Sequence, residues 1–418
     1  MKLVVVLESR FISTPDGTVW TKAPNSYPFW TRYLSVFDGV KVIARVKPVD
    51  DVDGFYKTVS GPNVSVCPVP HYVGLYEYAK AWVSVKNAMQ RSVANEDALL
   101  LRVPSALASH VVPGHWRSAR PYGLEVVGDP FDVFAPGTFN HPLRPVLRYL
   151  SARMLRRQCA GAATVSYVTS KKLQERYPCV SLQYGISDVN LGADSFAGGP
   201  KTFQTDLSRV KLQSNDYAKK PKRYRGDDDP RIIFIGTLEQ KYKGLDVLLK
   251  ALELVRNRGI AARLTVVGEG RYRAEMEQLT SELSLSSVVE FRGELPSGQP
   301  IRHELDKSTL LVLPSRTEGL PRVVLEAMAQ SLPCVATNVG GIPELLEDED
   351  MVLADDVAAL AAKIEEVITS PERMNRMSAR NLERAKAYHS DILQARREEF
   401  YRVLRIRTEN WLQQQRTN

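Results

Sequence analysis

The sequence predicts an α/β fold made of two Rossmann-like domains in series, each built on a parallel sheet. Three observations carry that expectation. Short apolar runs recur along the 418 residues, separated by stretches with helical spacing, which is the pattern of parallel strands covered by helices on both faces. The runs fall into two groups, parted by a polar and highly charged segment at residues 198–230. The length suits two or three domains, each large enough for its own core.

In the first group the predicted strands are LVVVL (3–7), VKVIARV (40–46), ALLLR (98–102), LEVV (124–127) and ATVSYV (163–168). A helix between the last two would carry Leu143, Val146, Leu147, Leu150 and Met154 on one stripe. The second group opens with RIIFIG (231–236). It continues with a helix over 244–259 whose apolar stripe is Leu245, Leu248, Leu249, Leu252 and Val255, closed by a glycine. RLTVVG (263–268), VVEFRG (288–293), LLVLPS (310–315) and CVAT (334–337) follow, each separated by a helix. The tail from about 372 to 412 reads as an amphipathic helix that returns to the first domain. The expected layout is therefore an N-terminal domain over 1–197, a linker or surface excursion over 198–230, a second domain over 231–385, and a C-terminal helix over 386–418.

Composition bounds the function. Hydrophobic residues make up 44% and charged residues 25%, as in ordinary soluble proteins. The apolar run at the start is too short for a signal peptide or a membrane span. Four cysteines without metal-ligand spacing indicate neither zinc nor a disulfide framework, and a cytoplasmic location is expected. The net charge of +8 is uneven: residues 1–199 hold 22 Lys and Arg against 15 Asp and Glu. No acidic residue lies between Asp132 and Glu175, where Arg144, Arg148, Arg153, Arg156, Arg157, Lys171 and Lys172 fall. The 144–172 stretch can contact an anionic membrane face, or it can be a solvated helix face. It lacks interleaved aromatics, so nucleic acid is not an expected partner.

The most informative stretch is SRTEGLPRVVLEAMAQSLP (315–333). It leaves the carboxyl end of a buried strand, the edge at which open α/β sheets bind ligands. Pro321 suits the first turn of the next helix. That turn's amides and the helix dipole make an anion site, and Gly319 allows close approach to the backbone. Glu318 and Glu326 flank this nest, separated along a helix by on the order of 12 Å. A carboxylate accepts two hydroxyl donors at once. One could take sugar hydroxyls and the other ribose hydroxyls, with a diphosphate between them. The alternative is two solvent-facing glutamates that merely favour a helix start.

These residues carry a resemblance. FIGTLEQKYKGLDVLLKAL, LTVVGEG, VEFRGELP, LLVLPSRTEGLPRVVLEAMAQSLPCVAT and NVGGIPELLED resemble, in order and spacing, the donor domain of retaining glycosyltransferases of family 4. The first domain matches only in outline, as in SYVTSKKLQERYP and ISDVNLGADSF. The resemblance implies the GT-B fold, with two facing Rossmann-like domains and a C-terminal helix crossing back. It also implies a nucleotide sugar, UDP- or GDP-linked, as donor. Glu318 and Lys243 would then be catalytic, Glu326 would hold the ribose, and the amides around Gly319, Leu320 and Pro321 would hold the diphosphate. Base recognition would involve the stretch containing Arg292 and Gly293. With a lysine and amides to meet the leaving group's charge, neither cofactor nor metal is expected.

Two positions depart from the family pattern. Thr237 stands where members carry an arginine, and Lys241 could supply the missing charge. Asp129 stands near the usual place of a histidine; it could steer an acceptor hydroxyl or cap the following turn. On the acceptor side, Asp16 and Gly17 match a glycine loop loosely. Arg102 closes an apolar strand, where it could meet an acceptor anion or form an internal ion pair. The Asp227–Asp229 run reads as a solvated cluster, the six histidines lack metal-like spacing, and Gly268-Glu269-Gly270 reads as a strand-to-helix turn.

The expected activity is metal-independent, retaining transfer of a sugar to a glycan or lipid-linked acceptor. The expected setting is bacterial surface polysaccharide assembly, with peripheral contact at the inner membrane face. The alternatives are a nucleotide-sugar 2-epimerase on a similar scaffold and a non-catalytic nucleotide-sugar-binding subunit.

Overall fold

The computed structural model describes residues 1–22, 25–54, 56–93, 97–134, 142–186, 217–226, 230–296 and 298–417. Most of the expected linker, the Asp227–Asp229 run, His141 and residues 187–196 of the junction stretch lie outside the described residues. The chain divides into two compact units. Of the described residues, 1–134, 142–186 and 394–417 form the first, and 217–226, 230–296 and 298–393 form the second.

In the first unit the strands are β1 (Lys2–Ser13), β2 (Val19–Thr21), β3 (Gly39–Pro48), β4 (Lys57–Thr58), β5 (Val64–Pro70), β6 (Ala98–Val103), β7 (Gly123–Val126), β8 (Thr164–Tyr167) and β9 (Leu182–Gly185). The parallel ladder runs β5-β3-β1-β6-β7-β8-β9, while β2 pairs antiparallel with the far end of β1 and β4 pairs antiparallel with β2. Strand β1 is longer than its apolar run. Its register with β3 shifts between Val6 and Arg10 and then resumes, burying Phe11. The helices are α1 (Tyr27–Trp30), α2 (Gly74–Ser92), α3 (Ala108–Ser118), α4 (Pro130–Val133), α5 (Arg144–Gly161) and α6 (Lys172–Arg176).

Helix α5 corrects one expectation. Its inward face is Ala152, Leu155, Gln158 and Cys159. Leu143, Val146, Leu150 and Met154, expected in the core, are 46–56% exposed. The periodicity was right, but the stripe faces solvent.

The second unit is a doubly wound parallel sheet in the order β12-β11-β10-β13-β14-β15. Its elements run β10 (Arg231–Ile235), α7 (Leu245–Asn257), β11 (Arg263–Val267), α8 (Arg273–Glu282), β12 (Val289–Gly293), α9 (Gln299–Lys307), β13 (Leu310–Leu313), α10 (Arg322–Ala329), β14 (Cys334–Thr337), β15 (Met351–Val352), α11 (Val357–Ile368) and α12 (Pro371–Lys386). Strands β10 and β13 are neighbours with connections leaving in opposite directions, which opens the crevice where such sheets bind ligands. Residues 217–226, expected in the linker, lie against this unit. Tyr224 joins its core, and Lys222 Nζ donates to the carbonyls of Leu305 and Asp306.

The expected single tail helix is two, because residues 387–389 separate α12 from α13 (Ser390–Thr417). In the first unit, α13 buries Phe400, Tyr401 and Leu404 among Leu3, Val5 and Leu100. Gly123 makes room for it: a Cβ there would stand 2.9 Å from Leu404.

A buried charge cluster sits in the same core. Glu125 on β7 pairs with Arg102 on β6 and, at 3.2 Å, with Arg32. The Tyr33 and Tyr401 hydroxyls each donate to it at 3.2 Å. One carboxylate thus pairs with two arginines and, through Tyr401, ties α13 to the sheet. Arg102 therefore takes the internal ion-pair role, with its side chain 8% exposed. Breaking such a pair strands an uncompensated charge, at about 3–5 kcal/mol. Glu125→Gln should lower the unfolding free energy by that much, whereas Tyr401→Phe should cost about 1 kcal/mol. Urea unfolding followed by tryptophan fluorescence checks both.

Candidate active site

The site is built where β10 and β13 end. The polypeptide leaves β10 through Gly236 and Thr237, and a single 3-10 turn, Lys241–Lys243, precedes α7. Gly244 closes that turn at φ +74°, and a Cβ there would lie 2.0 Å from the Pro314 carbonyl. Only glycine lets the turn seat against the end of β13. From the other side, Arg316 N donates to the Tyr242 carbonyl at 2.7 Å, and the Arg316 guanidinium grips Asp246 at 2.8 and 3.0 Å. The two strand ends are thereby clamped together.

This clamp brings Lys243 to Glu318. Lys243 Nζ lies 2.6 Å from Glu318 Oε1, and the Ser315 hydroxyl donates to the same oxygen at 2.7 Å. Both side chains are largely buried, at 15% and 7% exposure. The loop after β14 holds this arrangement from behind. Gly341 N donates to the Gly319 carbonyl at 2.6 Å. Gly340, at φ +55°, passes so close that a Cβ would lie 1.8 Å from the Glu318 carbonyl.

These walls enclose a pocket of about 690 Å³ in the second unit. Glu318 and Lys243 line one part of it; Leu320, Pro321 and Arg322 line the start of α10, and Glu326 lies one helical stretch further on. Helix α10 begins at Arg322, one residue later than expected, because Pro321 is its N-cap with an extended ψ of 115°. The unpaired amides of its first turn therefore follow the proline directly. Glu326 is partly accessible. The surrounding protein desolvates its carboxylate and pushes its pKa up to about 7, while Arg322 and Arg302 pull it back down.

The other expected donor-side residues divide. Thr237 lines the pocket; its hydroxyl accepts from Glu239 N at 3.2 Å and donates to the Glu269 carbonyl at 3.4 Å. Lys241 turns to Glu275 at 2.5 Å and is not among the lining residues, so it does not replace the absent arginine. Gly319 supplies the carbonyl held by Gly341. Gly293, at φ +72°, hydrogen-bonds through its carbonyl to Gly268 N. Arg292 points to Glu290 at 3.2 Å, and it is Glu294 and Leu295, next along, that line the pocket. Sequence reasoning missed Arg322, whose signal was its place immediately after the capping proline. It also set aside Gly268 and Gly270, which both line the pocket as the turn they were read to be.

The remaining candidates belong to the first unit. Asp129 caps α4, accepting from Phe131 N at 2.9 Å, and its carboxylate also takes the Tyr177 hydroxyl and Arg176. Its geometry is that of the cap alternative. Asp16 and Gly17 form the tip of the β1–β2 hairpin rather than a loop at the ladder's edge. Asp16 accepts from the hydroxyls of Thr14 and Thr18, which hold its carboxyl below the usual range. Among the described residues no group of three His, Cys, Asp or Glu could hold a metal.

Gly340→Ala should therefore displace the loop it backs. A non-glycine residue in the left-handed region costs about 1–2 kcal/mol, and the close contact adds to that. Hydrogen–deuterium exchange should quicken over residues 315–321 and remain unchanged over 1–134.

Comparison with known proteins bears on the family. Residues 229–370, which contain the whole pocket, match the family described as Glycosyl transferases group 1. The chain is 27% identical over 376 residues to Protein CapJ of Staphylococcus aureus, covering 89% of this chain and 88% of that one. It is 28% identical over 282 residues to a GDP-mannose-dependent alpha-(1-6)-phosphatidylinositol monomannoside mannosyltransferase of Mycobacterium tuberculosis, covering 63% and 68% respectively. Among solved structures, Anabaena Alr3699/HepE in complex with UDP and glucose aligns over 96% of this chain and 98% of that one, with a TM-score of 0.59 at 16% identity. A group 1 match over the pocket and a solved structure aligned along almost the whole chain agree with the strand-end geometry: the chain has the GT-B glycosyltransferase fold, and its residues 229–370 are similar to the group 1 glycosyl transferases.

Proposed function

We propose that this glycosyltransferase transfers a sugar, with retention and without a metal, from a UDP- or GDP-linked donor to a glycan or lipid-linked acceptor in bacterial surface polysaccharide assembly. One observation carries the reading: Lys243, Glu318 and Glu326 line a single pocket around the first turn of α10.

The chemistry follows from what each group can offer. An ammonium has three hydrogens, so Lys243 keeps two for phosphate oxygens while one stays with Glu318. The α10 amides and Arg322 add positive potential where the diphosphate gathers charge as the glycosidic bond breaks. Glu318, held by Lys243 and Ser315, presents its remaining oxygen to hydroxyls of the transferred sugar. Glu326 accepts the vicinal hydroxyls of the ribose. The donor's base stays open between uracil and guanine: HepE was crystallised with UDP, and the mycobacterial relative is named for GDP-mannose.

Calorimetry with UDP and GDP, chelator present, tests the donor assignment. One of them should bind, and Glu326→Ala should weaken it by the ~1.5–3 kcal/mol of hydrogen bonds to a charged group. Binding of neither would overturn the reading. The pH dependence has a definite sign. The Glu326 carboxylate ionises as pH rises through about 7, and only the ionised form accepts two hydroxyls through both oxygens. Affinity should rise across that interval, and Glu326→Gln should retain only the part due to the diphosphate's own titration.

The acceptor side rests on the first unit. On α5 the exposed Leu143, Val146, Leu150 and Met154 run beside Arg153 and Arg157, an apolar strip flanked by cations of the kind that seats in an anionic bilayer surface. No described helix is long and apolar enough to cross a membrane. The protein should co-sediment with phosphatidylglycerol vesicles and not with phosphatidylcholine alone. Arg153→Glu with Arg157→Glu should release it without altering nucleotide affinity.

A further inference from the structure

A second cavity, of about 820 Å³, lies in the first unit between α2, α3 and the end of α13. Parallel topology places it. Helices α2 and α3 start at the carboxyl edge of the sheet and run back, and the cavity takes the later half of α2 (Trp82 to Val93) and α3 through Arg120. It thus reaches the amino edge of this unit, while Ser109 and His110 extend it along α3 toward the carboxyl edge where open α/β sheets bind ligands. It shares no residue with the donor pocket.

Its chemistry is one-sided. Lys86, Arg117, Arg120 and Arg416 line it, and none of its lining residues is an aspartate or glutamate. Lys86, Arg117 and Arg416 form no ion pair among the described residues. Cations in the last turn of a helix are ordinary complements of the helix dipole, which would account for Arg117 and Arg416. That does not account for Lys86 in the body of α2, nor for the two tryptophans. Trp82 is 43% exposed, with Lys86 Nζ 5.1 Å from its ring centre. Trp411 is held by its indole N–H on the Ser118 carbonyl at 3.3 Å and lies beneath Arg120 at 5.7 Å.

A third observation is an unpaired polar group in the cavity wall. His115 lines the cavity, is only 6% exposed, and its Nε2 is buried without a hydrogen-bond partner. Its Nδ1 lies 3.3 Å from the Val111 carbonyl. Burial and Arg120 push the pKa of the ring down to about 4. The neutral ring with its proton on Nδ1 leaves Nε2 as an acceptor, and a buried acceptor left unmade is costly.

We propose that this cavity is an accessory binding site for an acidic saccharide, whose ring packs on Trp82 and whose anionic group meets Lys86 and Arg117. An aromatic face carries negative potential that suits the C–H edge of a pyranose. The ammonium and guanidinium supply charge-assisted hydrogen bonds to a carboxylate or phosphate. The claim concerns binding alone and does not depend on which donor the second unit takes.

The test is calorimetry on the full chain with a galacturonate hexamer, a neutral maltohexaose, mannose 6-phosphate, inorganic phosphate and a single-stranded RNA hexamer. The galacturonate should bind and weaken with added salt, while the maltohexaose should bind at least ten-fold more weakly. Mannose 6-phosphate binding in place of galacturonate would keep the acidic-saccharide class and identify the anion as phosphate. Lys86→Glu with Arg117→Glu, and separately Trp82→Ala, should each reduce acidic-saccharide affinity ten-fold or more. Nucleotide affinity and the thermal midpoint, which report on folding, should stay within error of the wild type. Equal binding of neutral and acidic hexamers, tighter binding of RNA, phosphate alone binding as well as the saccharide, or full affinity in either variant would overturn the proposal. So would absence of binding by both galacturonate and mannose 6-phosphate.

Discussion

The donor pocket depends on how closely three backbone segments can approach at the carboxyl edge of the second sheet. Gly244 touches the Pro314 carbonyl, and Gly340 touches the Glu318 carbonyl. Neither contact leaves room for a side chain. Because the approach is backbone on backbone, it fixes Lys243 and Glu318 more stiffly than their own flexible side chains could. The 2.6 Å pair between them is a consequence of that closeness. A lysine on a loop that is to meet a ligand gains by this: the ordering of its side chain is already met in the free protein, so less of the binding energy is consumed by it.

The two glutamates of the pocket are prepared differently. Glu318 arrives with a lysine and a hydroxyl already on one oxygen. Glu326 has no such partner among the described residues and is desolvated, with two arginines acting only at longer range. A carboxylate in that state is costly to ionise until hydroxyls replace the lost water. A ligand offering two vicinal hydroxyls does just that, so the cost of burying Glu326 favours a ribose over an apolar occupant of similar size.

Much of the second unit was legible in the sequence because its parts obey short-range rules. Strands β10, β11, β12, β13 and β14 each appeared as an apolar run, and Gly259 marked the end of α7 at φ +89°. The glutamate pair could be read because a strand end, a loop glycine and a proline mark where the loop passes into α10, although only Arg322–Glu326 of that spacing is helical and the expected rise of about 12 Å does not apply to the loop half. What escaped was set by long-range contact. Lys241 and Lys243 are equally plausible in KYKG, and only Glu275 on α8, more than thirty residues away, draws Lys241 aside. The same holds for Arg292, whose neighbours along the strand reach the pocket while its own side chain turns to Glu290.

In the first unit that limitation is more severe, and the reason lies in how its polar residues are used. Arg102 and Asp129 each look exposed and chemical in a one-dimensional reading, since a charge closing an apolar strand invites a ligand. Yet charges buried in a long sheet must find partners within the fold. Glu125 balances Arg102 and Arg32, and Asp129 caps α4 while binding Arg176. These charges are committed to one another, so they cannot also be first choices for an acceptor. Arg153 and Arg157 on the outer face of α5, and Lys86, Arg117 and Arg416 around the cavity of α2, α3 and α13, are not committed in this way. Recognition of anything large and anionic by the first unit therefore falls to surfaces that no strand-end motif would reveal.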